Sequence, residues 1–263
     1  FYLIRIIPWK RELLESNFYN NIMNIYPAID LKEGKCVRLY QGDMKKATIF
    51  NDSPLAQARF FEESGFKFLH IVDLDGAIVG ASINGQIVQE IVNNVKIPVQ
   101  IGGGIRNLEQ IEKWLSVGVK RVIIGTAALT DPDLVIEAAE RFPGQIIVGI
   151  DAKQGFVAID GWVKKSDVKI IDLAKKFSKS KIAAIIYTDI MRDGTMQGVN
   201  IEATKILAEN SNIPIIASGG VDSISNVEKI YTIKQFGVEG VIIGRAIYED
   251  KNGEFLSQLK QYL

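Results

Sequence analysis

Two aspartates in this chain each close an apolar run. Asp30 follows Tyr26-Pro27-Ala28-Ile29, and Asp151 follows Ile147-Val148-Gly149-Ile150, 121 residues further on. A carboxyl at the end of such a run is partly desolvated, which tends to raise its pKa. A raised carboxyl suits proton transfer near neutral pH. One aspartate so placed would read as a helix cap or a loop hydrogen-bonding group. Two in matching positions read as a general acid and a general base. Thr188, and Asp193 in the segment Arg192-Asp193-Gly194-Thr195, add further proton-handling or ligand-binding groups. Asp193-Gly194 also suits an ordinary turn. The single histidine, His70, and the single cysteine, Cys36, allow no internal disulfide and no multi-histidine or cysteine metal site. A Ser-His-Asp triad would need His70 as its base. His70 lies within Phe68-Leu69-His70-Ile71-Val72, the setting of a satisfied core histidine, and Cys36 reads as structural.

Glycines mark where the charged ends of a ligand would sit. Gly102-Gly103-Gly104 and Gly125-Thr126 follow two apolar runs, and Ser218-Gly219-Gly220 and Gly244-Arg245 follow two more. Small residues let backbone N–H groups approach an anion, and the start of a following helix adds partial positive charge. Gly103, Gly104, Gly125 and Thr126 make one candidate phosphate site, with Arg106 among the substrate-binding residues. Ser218, Gly219, Gly220, Gly244 and Arg245 make the second. The alternative is that these glycines only shape tight turns. Two equivalent sites fit a small molecule phosphorylated at both ends. Trp162, after a turn over 156–161, is placed to stack on a planar ring or to cover the rim. Arg38, Gln41 and Gly42 lie in a long first loop able to act as a lid.

Positioning these groups requires strands that end at one face. Eight short β-branched runs recur from residue 25 onward: IYPAI, KFLHIV, IPVQI, RVIIG, QIIVGI, AAIIY, IPIIA and GVIIG. Such near-continuous runs are typical of strands buried on both faces. Helix-like spacing separates them over 56–63, 85–93, 108–116, 132–141, 170–177, 201–209, 224–234 and 254–262. Asn107, Asp131 before Pro132, and Ser223 stand as cap residues. Eight strand-then-helix units predict an α/β fold, a (β/α)8 TIM barrel, rather than an open doubly wound sheet. Gly103 and Gly219 stand 116 residues apart, Gly125 and Gly244 119, and Asp30 and Asp151 121. Asp73-Leu74-Asp75-Gly76 resembles the stretch from Thr188 to Thr195 at a similar interval. Four motif pairs in one order predict two half-barrels, over 23–143 and 144–263. Barrel enzymes carry their sites at the C-terminal ends of the strands, where all of these motifs fall.

Across 263 residues, 31 basic and 31 acidic side chains cancel, with 47% hydrophobic and 24% charged residues. That balance describes a globular chain and gives no reason to expect nucleic acid or a membrane surface as partner. No run of 18 apolar residues suits a membrane span. The first 22 residues begin with Phe1 and are interrupted by Arg5, Pro8 and Lys10, a poor secretory signal. They read as a flexible upstream leader. Residues 23–263 read as one catalytic domain, a cytoplasmic monomer acting on a small molecule.

The stretches MNIYPAIDLKEGKCVRLYQGD, LHIVDLDGA, IGGGIR, GTAAL, GIDAK, YTDIMRDGTMQG, ASGGV and GRAIYE together resemble the phosphoribosylformimino-AICAR-phosphate isomerases of histidine biosynthesis. The likeness spans Met23 to Leu263. It implies an Amadori rearrangement, in which a doubly phosphorylated aminoaldose opens its ribose ring and becomes the aminoketose. It implies that Asp30 takes the C2 proton and that Asp151 is the acid assisting ring opening. Thr188 matches an auxiliary polar group, Asp193 matches the loop aspartate of the family's DGT motif, and Trp162 matches a tryptophan that stacks on substrate. The family needs no metal, nucleotide or flavin cofactor. The sister cyclase of imidazole glycerol phosphate synthase shares the repeat and both phosphate sites, but has a cysteine two residues before the first aspartate. Here that residue is Ala28, and Arg38-Leu39 replaces a lysine-rich segment. Two more possibilities stay open: phosphoribosylanthranilate as a second substrate, and a non-catalytic phosphate-binding barrel.

Overall fold

The computed structural model describes residues 23–159, 161, 162 and 164–263. The leader over 1–22 lies outside the described residues. In chain order the strands are β1 (Asn24–Lys32), β2 (Lys35–Tyr40), β3 (Asp43–Asn51), β4 (Leu69–Asp73), β5 (Val99–Gly102) and β6 (Arg121–Ile124). They continue as β7 (Ile146–Lys153), β8 (Phe156–Ile159), β9 (Lys164–Lys169), β10 (Ala184–Asp189), β11 (Ile215–Ser218) and β12 (Val238–Ile243). β1, β4, β5, β6, β7, β10, β11 and β12 pair in parallel, and β10 returns to β7 to close the ring. This is the (β/α)8 barrel. β1 and β7 stand half a turn apart in the ring.

Strand periodicity decides where the functional side chains point. Tyr26 and Ala28 of β1 pack inside the barrel, with Ile147, Ile186, Ile216 and Ile242. Their neighbours Ile25 and Ile29 face outward into the larger core shared with the helices, beside Val88, Ile91, Ile111, Val135, Leu207 and Val227. With both faces buried, the runs show no polar alternation. Two residues beyond Ala28, the inward position is Asp30, at the open end of the barrel. The same count along β7 and β10 delivers Asp151 and Thr188, which are in register with each other.

The first loop is structured rather than irregular. β2 runs antiparallel to β1 and pairs with β3, so Arg38 sits on a strand and Gln41-Gly42 form the hairpin tip. The stretch expected to be a turn before Trp162 is likewise mostly β8, which pairs with β7 and β9. Each half-barrel thus carries its own antiparallel extension over the mouth. Their outer strands, β3 and β9, are polar and half exposed, so they lack the apolar signal of the barrel strands. Asn107 and Asp131 cap their helices, accepting from Gln110 N and Leu134 N. Ser223 stands at a helix start without capping it, and its hydroxyl accepts from Asn226 Nδ2 instead. The helix expected over 224–234 ends at Thr232, and short helices over Leu74–Val79, Thr126–Thr130 and Arg245–Tyr248 follow β4, β6 and β12.

Candidate active site

The candidate acid–base and substrate-binding residues line one cavity of about 280 Å³ at the C-terminal end of the barrel, while Gln41 and Cys36 lie outside its lining. Asp30, Asp151, Thr188 and Asp193 stand on its walls, with Arg38, Gly42 and Trp162 from the two hairpins. Gly103, Gly104, Arg106, Gly125 and Thr126 form one end, and Ser218, Gly219, Gly220, Gly244 and Arg245 the other.

Asp30 and Asp151 have different surroundings. Arg38 Nη1 donates to Asp30 Oδ2 at 2.7 Å, and Nη2 donates to the Ala28 carbonyl. The side chains of this pair are only 10% and 16% exposed, so solvent screens it little. The guanidinium lies 5.2 Å from the centre of the Tyr248 ring, whose hydroxyl also bonds the Ala28 carbonyl. Among the described residues Asp151 has no such cation beside it. Burial pushes its pKa up, and hydrogen bonds from Trp162 and Thr188 hold back part of that rise. Asp193 lies between the two carboxylates electrostatically. Burial drives it up to about 7, the charge of Asp30 adds to the rise, and Arg38 opposes it. One cavity therefore holds an ion-paired carboxylate, a buried carboxyl biased towards its proton, and a third acid poised near neutrality. That combination is what acid–base chemistry requires.

The two glycine ends match in backbone detail. Gly125 (φ −95°, ψ −104°) and Gly244 (φ −110°, ψ −99°) each precede a short helix. Packing explains some of these glycines without a ligand. A Cβ on Gly104 would strike the Gly76 carbonyl, one on Gly220 would stand 2.6 Å from the Gly198 carbonyl, and one on Gly244 would meet the Arg38 guanidinium. Gly125 differs, since a Cβ there meets nothing within 4 Å. Its open side belongs to the cavity. At the other end Arg245 Nε is buried without a hydrogen-bond partner, and Glu249 Oε1 stands 3.6 Å from it, beyond bonding distance. A buried cationic donor left unmade is costly, and an anion in the cavity would supply the partner. Arg106 reaches back to the Ala77 carbonyl at 3.3 Å and packs against Gly80, so it frames the first end from the rim.

Several contributors carry weaker sequence signals. Asp73 is fully buried and accepts from Gly76 N, Ile83 N and Asn84 N and from Asn84 Nδ2. Its counterpart Asp189 accepts from Met191 N and Asn200 Nδ2. Both pairs are separated by 11 residues, and they tie the loops after β4 and β10 to the next helix. The recurrence of Asp and Asn at that spacing in both halves is the signal that could have found them. Tyr248, within GRAIYE, backs Arg38. His70 lines the cavity floor, where its Nδ1 meets Gln100 Nε2 at 3.0 Å. Burial and the nearby Arg38 charge push it down to about 3, so the ring is neutral. Among the described residues no group of three His, Cys, Asp or Glu is placed to hold a metal ion, and no helix is long and apolar enough to cross a membrane.

Residues 24–252 match the model of a family described as histidine biosynthesis protein. A protein of Rhodospirillum centenum is 54% identical over 229 residues, covering 87% of this chain and 93% of its own length. One of Parvibaculum lavamentivorans is 55% identical, with 87% and 94% covered. One of Beijerinckia indica subsp. indica is 56% identical, with 87% and 95% covered. Each is named 1-(5-phosphoribosyl)-5-((5-phosphoribosylamino)methylideneamino) imidazole-4-carboxamide isomerase. With the family model matched from β1 past β12, and relatives above half identity along the same span, this chain belongs to the histidine biosynthesis protein family.

Proposed function

We propose that this protein is the aldose–ketose isomerase that its relatives are named for, converting a doubly phosphorylated aminoaldose to the aminoketose by an Amadori rearrangement. The observation that carries this reading is the facing pair Asp30 and Asp151, set in unlike environments between two matched glycine ends of one cavity. The phosphates lie at those ends, near Gly125-Thr126 and near Ser218 to Gly220 with Arg245. Asp151, biased towards its protonated form, gives its proton to the ribose ring oxygen. The C1–O bond breaks and the nitrogen lone pair forms the protonated imine. Asp30 then takes the C2 proton, and the electron pair moves to give the enolamine. Asp30 then returns its proton to C1 while the C2 hydroxyl gives its proton to the Asp151 carboxylate, which forms the C2 ketone and restores both side chains with no net loss or gain of atoms. Thr188 holds Asp151 by a hydrogen bond, and Asp193 passes protons between the two sides. No step calls for a group other than these side chains. Trp162 stacks on the ring of the substrate, and the chain works in the cytoplasm as a monomer.

The test is direct assay of the purified protein with the aminoaldose and no added metal or cofactor, with phosphoribosylanthranilate as a second substrate. Conversion of the first supports the reading, and the absence of conversion overturns it.

A further inference from the structure

The two hairpin tips meet across the mouth of the cavity. β2 and β3 turn at Gln41-Gly42, and Trp162 lies in the link between β8 and β9. Gln41 and Trp162 stand 121 residues apart, the interval that separates Asp30 and Asp151, and both have positive φ, 48° and 72°. The Trp162 ring lies directly on Gly42. A Cβ at residue 42 would stand 2.8 Å from Cζ3 and 3.0 Å from Cδ2, and closer still to Cε3. Gly42 has φ 72°, but a left-handed backbone alone is open to asparagine. The ring is what excludes any side chain. The indole N–H, the only donor on that side chain, bonds Asp151 within the same cavity. The Gly42 tip is itself anchored, because Gln41 N donates to the Asp193 carbonyl at 3.2 Å and Gln41 Nε2 to the Met191 carbonyl at 3.0 Å. One half-barrel thus supplies a bare backbone seat, and the other supplies the ring that rests on it and the acid that the ring touches.

We propose that Gly42 is a positioning residue, the seat that holds Trp162 against Asp151 and couples the hairpins of the two half-barrels. Its catalytic consequence rests on the isomerase reading, whereas the contact itself does not. A side chain at 42 lifts the indole, exposes it to solvent and withdraws its hydrogen bond from Asp151. From sequence this glycine belongs to a first loop able to act as a lid, and the geometry gives it a partner within the protein.

The test places Gly42→Ala and Gly42→Asn in the native chain and in a Trp162→Ala background. Asparagine tolerates the backbone, so it separates the added side chain from the conformation. Two readouts are taken: kcat/KM for the aminoaldose, and acrylamide quenching of Trp162 fluorescence after subtraction of the Trp162→Phe signal. Both substitutions are expected to lower kcat/KM by about tenfold or more when Trp162 is present and by no more than about twofold when it is alanine, the non-additivity of groups in contact. Trp162 becomes more quenchable in both. An equal loss in the two backgrounds, or quenching unchanged from wild type, overturns the proposal. If wild type shows no isomerase activity, the functional reading fails while quenching still decides the seat.

Discussion

Arg38 grips both sides of the strand end that carries Asp30: Nη1 holds the carboxylate at 2.7 Å, and Nη2 holds the carbonyl of Ala28, two residues earlier. The Asp30 side chain is thereby held in place by a residue eight positions away on the next strand. Removing one member of a buried pair leaves the other uncompensated. Arg38→Met is expected to destabilise the protein by about 3 kcal/mol in urea denaturation. Asp30→Asn/Arg38→Met is expected to recover part of that loss, because the uncompensated charge is gone. Additive losses would show that the two side chains do not interact.

Asp193 predicts a stability slope in mildly acidic solution. Its native pKa near 7 lies above the unfolded value of about 3.9, so the folded state keeps a proton that the unfolded chain releases between these values. The stability contributed by this group is full below about pH 4 and declines as pH rises to about 7. Asp193→Asn removes that slope, so the variant gains on wild type as pH rises from 4 to 7. Urea denaturation of both proteins at several pH values checks this, and a pH-independent difference would contradict it.

The barrel and the cavity's lining are legible in the sequence because they rest on short-range regularities. Continuous Ile and Val runs mark doubly buried strands, and the inward count from Ala28 to Asp30 follows from a period of two. The hairpins are not legible. β3 reads Asp-Met-Lys-Lys-Ala-Thr-Ile-Phe-Asn, a half-exposed strand with no buried residue, whose partner is fixed by the turn at Gln41-Gly42 rather than by burial. Long-range pairings are hidden for a different reason. Gly42 against Trp162 and Gly244 against Arg38 are contacts between distant segments, and the glycine type alone does not say whether a ligand or a side chain fills the space. The glycine motifs point to phosphate from sequence; Gly125 has open space where a side chain would stand, while Gly244 has a packing cause of its own.

His70 is the only histidine in the chain, which makes its ring easy to follow by proton NMR. Burial and the nearby Arg38 charge hold its pKa down at about 3. The expected result is no movement of the ring Cε1–H resonance between pH 5 and 8, and a pH–rate profile for kcat without a histidine limb. A midpoint near the ordinary value of about 6.5 would place the ring in solvent.

Arg245 separates binding from chemistry. Its buried Nε has no hydrogen-bond partner and its ion pair with Glu249, 3.6 Å away, is partly exposed, so the guanidinium contributes little to holding the fold together. Arg245→Met is expected to raise KM by about tenfold or more, the loss of one charge-assisted contact, with melting temperature held or raised. Inorganic phosphate should raise the melting temperature of wild type by mass action and do so less in the variant. An unchanged KM would remove Arg245 from the substrate's second phosphate end.

Two aspartates carry separate proton transfers in the proposed mechanism, and the steady-state kcat of Asp30→Asn and Asp151→Asn on the aminoaldose tests that division most directly. Each amide keeps the shape of the carboxyl and loses its proton chemistry. Each variant is expected to fall at least about 10²-fold in kcat, the lower end for removal of a general acid or base, while both stay folded. Turnover like that of wild type in either variant would contradict the mechanism.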